Sequence, residues 1–364
     1  MGTKDLDLNT RSENCTDVPL NKRVLMFWES GVSGCDSIPA GITHVAFTYA
    51  AVSDSLVEPF FSGDDDATLQ CIALLRARCI YTLGAIGGST SAQNMSTITD
   101  ADNFASSALA LTKKYRLDGL VIDDQTQSGR KVGEFSADTV LTYMTALSKS
   151  LKDENYLLSF NSFVNEVVPV SCESYRCFPS GVEDLVDWIN VVTYTPPKQD
   201  PKAVAAAAVK PNGTLDQWAV AVKNATKIVV VVTAAVGQSN AGQSNEVVLS
   251  LAKAASEYGG VMEWGGTMDK LLGYPTATIL LTQKLPTEAP KTPAPTPVPM
   301  PKTCKTSISH VVSVGETASS IVSLVCRKVP IVDCTPGKYW VVHGDTTCPN
   351  NLGLGATVSV CCQP

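Results

Sequence analysis

Tyr115-Arg116-Leu117-Asp118-Gly119-Leu120-Val121-Ile122-Asp123-Asp124-Gln125 reads as the end of a helix, a turn and a strand. Side chains alternate along a strand, so Val121, Asp123 and Gln125 share one face and Asp124 lies on the other. If the first face points inward, this row reaches the mouth of a closed sheet. The plainer alternative is that the aspartate pair caps the helix that follows.

Outward from this strand, short apolar runs alternate with longer segments of helical spacing, the pattern of parallel strands buried on both faces. Eight such runs are expected, at residues 23–28, 43–50, 80–86, 119–123, 157–163, 188–194, 228–236 and 260–264. Eight β-then-α units in about 260 residues suit a closed parallel barrel, with a doubly wound open sheet as the alternative. Residues 203–209 and 247–255 read as crossover helices. The short connection between the seventh and eighth runs leaves no room for an inserted domain, so a shallow, open groove is expected at the strand C-terminal ends.

From 285 to 302 the chain is Leu-Pro-Thr-Glu-Ala-Pro-Lys-Thr-Pro-Ala-Pro-Thr-Pro-Val-Pro-Met-Pro-Lys. Its prolines remove backbone donors and favour extended polyproline geometry, making a semi-rigid spacer whose threonines are candidates for O-glycans. The expected organisation is therefore an α/β domain over 1–284, a linker over 285–303 and a small cysteine-rich module over 304–364.

The 364 residues are 44% hydrophobic and 17% charged, which suits a chain able to bury a large core. Its 12 cysteines divide evenly: Cys15, Cys35, Cys71, Cys79, Cys172 and Cys177 precede the spacer, and the rest follow it. Even counts favour disulfides and an oxidising compartment. No Cys-x-x-Cys pair sits at zinc spacing with the three histidines, His44, His310 and His343, so neither a metal nor a cofactor is expected. Acceptor triplets at Asn14, Asn94, Asn212 and Asn224 fit a secreted glycoprotein. Met1-Gly2-Thr3-Lys4-Asp5 shows no apolar signal-peptide core, which is read as a signal already removed, with a protein that is not exported as the alternative. A net charge of −7 without basic clusters argues against nucleic acid, and no apolar run approaches the roughly 20 residues that cross a bilayer. Nothing points to more than a monomer.

The Asp118-to-Gln125 stretch resembles the family 18 glycoside-hydrolase (chitinase) signature Asp-Gly-x-Asp-x-Asp-x-Glu, and further pieces recur in order along the whole barrel. Residues 24–28 followed by Gly41-Ile42-Thr43-His44-Val45-Ala46-Phe47-Thr48-Tyr49-Ala50 resemble the family's first two strands, with Tyr49 at the aromatic floor position. Leu83-Gly84-Ala85-Ile86-Gly87-Gly88 resembles its third-strand Ser-x-Gly-Gly motif, with Ala85 for serine. Asp187-Trp188-Ile189-Asn190-Val191-Val192-Thr193-Tyr194-Thr195 resembles the sixth-strand segment ending Met-x-Tyr-Asp, keeping Tyr194 but departing at Val192 and Thr195. Gly259-Gly260-Val261-Met262-Glu263-Trp264 resembles the last strand, whose tryptophan floors the central sugar subsite.

The resemblance implies an eight-fold (β/α)8 TIM barrel and substrate-assisted hydrolysis of β-1,4-linked N-acetylglucosamine. In that chemistry the terminal glutamate donates a proton, the middle aspartate steers the acetamido group, and the tyrosine hydroxyl steadies it. Here the acid position is Gln125, which has no carboxylic proton to deliver. Val121 replaces the first aspartate and cannot share charge or proton with Asp123. Asp124 serves as a replacement acid only if a bulge turns it inward.

Tyr49, Asp123, Gln125, Tyr194 and Trp264 remain as the substrate-binding residues that the resemblance implies, because aromatic faces stack on pyranose rings. Ordinary core packing is the alternative for Tyr49 and Trp264.

After the spacer, Ser309-His310-Val311-Val312-Ser313-Val314-Gly315-Glu316-Thr317-Ala318-Ser319-Ser320-Ile321-Val322 resembles the opening of a LysM module, which binds N-acetylglucosamine polymers. Cys348-Pro349-Asn350-Asn351-Leu352-Gly353-Leu354-Gly355-Ala356-Thr357-Val358-Ser359-Val360-Cys361 resembles its closing strand, while residues 328–347 depart from it. A disulfide-stapled knot with another partner is the alternative.

The expected function is that of an inactive, secreted chitinase-like protein that holds chitin or chitooligosaccharides. Such a protein would sequester fragments from receptors or shield walls, as an effector does. The alternatives are a weakly active enzyme with a rearranged acid and an inactive barrel that binds a protein partner.

Overall fold

The computed structural model describes residues 15–29, 34–59, 65–88, 95–125, 137–164, 178–194, 200–233 and 243–284, and the backbone of 307–311, 339–343, 346–347 and 357–362. The chain forms two compact units, Met1–Pro286 and Thr287–Pro364.

In the first unit, β1 (Arg23–Glu29), β2 (His44–Ser53), β4 (Tyr81–Gly88), β5 (Gly119–Asp124), β6 (Leu157–Phe163), β7 (Trp188–Val192), β8 (Ile228–Thr233) and β9 (Gly260–Trp264) pair in parallel. β1 hydrogen-bonds both β2 and β9, so the sheet closes into a barrel. This is the closed barrel that was expected, and the doubly wound open sheet is excluded. A short β3 (Leu56–Pro59) turns back antiparallel on β2.

The helices are α1 (Asp65–Ala77), α2 (Ala101–Tyr115), α3 (Ala137–Lys152), α4 (Val182–Leu185), α5 (Pro201–Val209), α6 (Thr214–Val222), α7 (Asn245–Ala254), α8 (Gly266–Leu271) and α9 (Pro275–Thr282). Their starts carry the chemistry of helix capping. Asp100 accepts from Asn103 N at 3.0 Å ahead of α2, and Asp200 accepts from Lys202 N at 3.0 Å ahead of Pro201, the first residue of α5. In α3, Val140, Tyr143, Met144, Leu147 and Leu151 recur at helical spacing and are buried against the barrel.

Alternation along the strands separates two apolar layers. Leu25, Phe27, Leu83, Val121, Val229 and Val231 fill the barrel, while Met26, Trp28, Leu120, Ile122, Val230 and Val232 pack outward beneath the helices. The N-terminal end of the barrel is plugged by Arg23, whose guanidinium lies 4.8 Å from the Trp188 ring, and by His44, stacked 4.7 Å from Tyr81. Above this plug, Trp188 donates to Asn190 at 2.9 Å and Asn190 donates to Asn161 at 2.8 Å. These bonds compensate the burial of amides inside the barrel.

Gly119 is required by close approach: a Cβ there would meet Leu157 O of the neighbouring strand at 2.2 Å. Cys15 pairs with Cys79 and Cys35 with Cys71, tying the start of the chain to the region of α1. Cys172 and Cys177 lie outside the described residues. Asn212 and Asn224 are exposed, while Asn14 and Asn94 fall outside the described residues.

In the second unit β10 (Ser307–Val311), β11 (Tyr339–His343), β12 (Thr346–Thr347) and β13 (Thr357–Cys362) form an antiparallel sheet in the order β10-β13-β11-β12. The first and last strands of the module therefore pair, with Ser309 opposite Ser359. The segment 312–322, expected to continue as a turn and helix, lies outside the described residues.

Glu263 sits in β9 between Met262 and Trp264 and so faces the outer layer, fully buried. Neither of its oxygens receives a hydrogen bond from a donor. Burial, then the charge of nearby Asp269, pushes its pKa well above the usual carboxylate range, so it is held as a neutral acid. Asp269 in α8 is itself buried and accepts from Thr276 N at 2.9 Å and Ala277 N at 2.8 Å, which anchors the start of α9.

The folded state keeps the Glu263 proton where the unfolded chain releases it, near pH 4.3 for a free glutamate. Stability therefore falls as pH rises above that value towards the raised folded pKa. Glu263→Gln, which keeps a neutral donor beside Asp269, is expected to gain on the parent protein progressively between pH 4 and pH 8. Urea midpoints across that range check this; a difference that does not change with pH refutes it.

Candidate active site

The site is built at the C-terminal ends of the barrel strands, where β5 delivers its inward row. Val121 is fully buried inside the barrel next to Ala85, its register partner on β4. Two residues on, Asp123 is fully buried, and its Oδ2 accepts from Tyr49 Oη at 2.9 Å and from Gln125 Nε2 at 2.7 Å. Two donors on one oxygen compensate the burial of the carboxylate. Gly87, opposite Asp123 in register, has φ +101°, and a Cβ there would meet Asp123 O at 2.3 Å. Glycine is needed at this point for β4 to run this close to the aspartate's backbone.

Tyr49 reaches Asp123 because the β2–β4 register shifts between Phe47 and Ala50. Ala46 faces the barrel interior and Phe47 the outer layer, so strict alternation would turn Tyr49 outward. The irregularity resets the parity, and Tyr49 packs on the interior cluster while Ala50 joins the outer one.

Trp264, at the end of β9, completes an aromatic wall: its ring lies 5.7 Å from Tyr49 and 5.1 Å from Phe27. Tyr194 is half-buried against the same interior cluster, which includes Val192. Thr195 is outside the described residues. Gln243, on the segment after β8, is buried and ties two strand ends together. It accepts from Thr233 N at 3.0 Å and donates to Thr193 Oγ1 at 3.1 Å.

Asp124 takes the other direction. It is buried in the outer layer and accepts from Tyr143 Oη of α3 at 2.7 Å. Burial, with the adjacent Asp124 carboxylate, drives the Tyr143 hydroxyl well above its ordinary pKa. No bulge interrupts β5 in its pairing with β4, which runs in register from Leu83–Gly119 to Gly88–Asp124.

The structure thus brings Tyr49, Asp123, Gln125 and Trp264 to one cup, with Tyr194 on the same interior cluster. It adds Phe27, which the sequence reading left as an unremarked strand residue. The signal was present in β1, where Leu25 and Phe27 alternate with Met26 and Trp28, but alternation alone does not say which set faces inward.

Among the described residues no group of three or more His, Cys, Asp or Glu side chains is arranged to hold a metal ion. A buried carboxylate flanked by a fixed amide donor, a phenol and an aromatic wall can bind a neutral ligand with both polar groups and apolar ring faces.

An eight-stranded parallel barrel with its candidate site at the strand C-terminal ends has the (β/α)8 architecture. Residues 23–293 match the family Glycosyl hydrolases family 18, and the chain belongs to it. No curated protein sequence matches the chain. Among solved structures it is similar to the Ostrinia furnacalis Group IV chitinase at 15% identity and a TM-score of 0.56, covering 72% of this chain and 99% of that one. A GH18 chitinase from Pseudoalteromonas aurantia is similar at 17% identity and a TM-score of 0.55, covering 72% and 100%. The family GH18 chitinase from Cycas revoluta, solved as a complex with allosamidin, is similar at 14% identity and 0.52, covering 72% and 98%. At these identities the likeness establishes the shared fold.

Tyr143→Phe strips Asp124 of a buried donor and is expected to cost about 1–3 kcal/mol of stability. If Asp124 is structural, the change leaves sugar binding intact; denaturant unfolding read beside an oligosaccharide titration checks both halves.

Proposed function

We propose that this protein is a chitinase-like lectin that binds N-acetylglucosamine oligomers in the barrel mouth and does not hydrolyse them. The observation that carries this reading is the bond from Gln125 Nε2 to Asp123 Oδ2 at 2.7 Å. An amide occupies the position from which the family signature donates its proton, and it lies inside the cup.

Cleaving a glycosidic bond requires a proton on the leaving oxygen as the bond breaks. Gln125 can offer that oxygen an N–H hydrogen bond but cannot transfer the hydrogen, since an amide does not ionise as a general acid. The missing help is worth about 10²–10⁴-fold, or roughly 3–5 kcal/mol of barrier. Asp124, hydrogen-bonded to Tyr143 on the opposite side of the strand, does not face the mouth, which supports the inactive reading. Val121 supports it further: packed with Ala85 in the interior, it offers Asp123 no carboxyl partner for exchanging a proton.

Binding draws on what the cup retains. Asp123 and Tyr49 present an acceptor and a hydroxyl to an acetamido group, and Trp264 offers a ring face to a pyranose, with Tyr194 beside it. Each sugar is neutral, so the −7 net charge imposes no penalty on this ligand. The C-terminal module over 304–364, after the linker 285–303, is proposed as a second N-acetylglucosamine-binding unit of LysM type. The antiparallel pairing of its first and last strands supports that reading. Two linked sites gain avidity on one polymer when the spacer can span them. The disulfides Cys15–Cys79 and Cys35–Cys71 support secretion. Sequestering chitin fragments from receptors or shielding a wall are the roles such a protein would play.

Calorimetric titration with N-acetylglucosamine oligomers of increasing length, beside product analysis after overnight incubation, is expected to show binding without products. Products from the parent protein overturn the reading, and no binding at any length moves the function to a protein partner. Gln125→Glu is expected to raise hydrolysis above the parent's by about 10²-fold or more. Trp264→Ala is expected to weaken oligomer binding at least about tenfold, near 1.4 kcal/mol, while the melting transition stays close to that of the parent.

A further inference from the structure

At the end of the barrel opposite the mouth, the C-terminal turns of α1 and α2 and the starts of β4, β5 and β6 enclose an open groove of about 520 Å³. Arg76, Lys113 and Arg116 contribute three positive charges to it, against the single carboxylate of Asp118. That excess stands out on a chain whose net charge is −7.

The charges are not equally compensated. Asp118 is engaged by Thr82, from whose N and Oγ1 it accepts at 2.7 and 3.1 Å, and it lies 3.6 Å from Arg76 Nη2. Lys113 pairs with Glu154 at 2.7 Å, where both groups are half-exposed. Among the described residues no carboxylate pairs with Arg116. Of the residues that line the groove, Arg76 donates from Nη1 to Arg116 O at 2.6 Å, while Arg76 Nε and Arg116 Nη1 are buried without a hydrogen-bond acceptor. Basic residues in a last helical turn complement the helix dipole, which accounts for the placement of Arg76 and Lys113. It does not supply an acceptor to a buried guanidinium nitrogen, and such donors are ordinarily satisfied.

We propose that this groove binds a phosphate-type oxyanion, with Arg116 as its principal contact and Arg76 and Lys113 beside it. A tetrahedral oxyanion presents several acceptors within one small volume and matches the planar fork of a guanidinium. The groove is much larger than the ion, and Tyr156, Leu117 and Leu157 line it with ring and aliphatic surface. It therefore has space for a phosphate monoester that carries an organic group as well as for free phosphate. The site is separate from the sugar cup and does not depend on the function proposed for it.

The test is calorimetric titration of the full chain with inorganic phosphate and, separately, with glycerol 1-phosphate, each against chloride at matched ionic strength. Saturable binding of phosphate and none of chloride is expected, at least tenfold weaker in Arg116→Gln and weaker also in Lys113→Gln. Chitooligosaccharide binding should be unchanged in both variants. The Arg116 side chain makes no hydrogen bond among the described residues and Lys113 is exposed, so both variants should melt as the parent does. A monoester that binds as tightly as the free ion identifies a phosphate carried on a larger molecule, and one that is excluded confines the site to the free ion. Equal responses to phosphate and chloride, or equal phosphate affinity in the parent and Arg116→Gln, overturn the proposal.

Discussion

In a closed sheet every strand has an inside, and the alternation of the backbone decides which residues occupy it. Here closure comes from β1 pairing with both β2 and β9. Once that ring is made, Val121 and Asp123 can point only into the barrel, and Asp124 only out of it towards Tyr143. A slip of one residue in β5 would exchange the two aspartates, bringing Asp124 into the mouth and putting Val121 among the helices. The uninterrupted register between β4 and β5 is what keeps them apart. The chemistry of the cup therefore rests on backbone pairing first and on side chains second.

The strands themselves were legible in the sequence because each is a short apolar run buried on both faces, and each of the eight expected runs overlaps a barrel strand. That Val121, Asp123 and Gln125 share one face was legible too, since β5 alternates without a bulge, but which face points inward was not. Tyr49 was not, on alternation alone. A shift in register between Phe47 and Ala50 changes its face, and nothing in Phe47-Thr48-Tyr49-Ala50 announces that shift; only the family likeness pointed to this residue. Glu263 was hidden in a similar way. It reads as one polar residue in a strand, yet its neighbours turn it into the outer layer, where it must stay neutral beside Asp269. Partners such as Tyr143 for Asp124 and Asp269 for Glu263 have no local signature, because each sits on the next element and meets its partner only once that element has packed.

The positions around Asp123 divide by chemistry. Groups that make a polar and aromatic cup are in place: Tyr49 and Gln125 on Asp123, and Phe27 packed edge-on against Trp264. Ala85 and Val121 are apolar and fill the barrel beneath. A polar or charged side chain at either position would need its own partner in a fully buried layer. With both apolar, the layer beneath Asp123 packs as ordinary core, and the aspartate draws its hydrogen bonds from Tyr49 and Gln125.

The amide at 125 also changes how firmly the cup is held. Were a carboxyl there, its bond to Asp123 would exist only while one of the two carried a proton, since two carboxylates at this distance repel. An amide N–H donates at every pH at which the protein is folded. The 2.7 Å bond to Asp123 is therefore permanent, and it orients the carboxylate with no proton to lose. Catalysis needs that proton to be mobile, whereas recognition of a neutral sugar needs the groups around it to stay where they are. On the proposed reading, an amide in place of the acid would trade the first property for the second while altering the shape of the site very little.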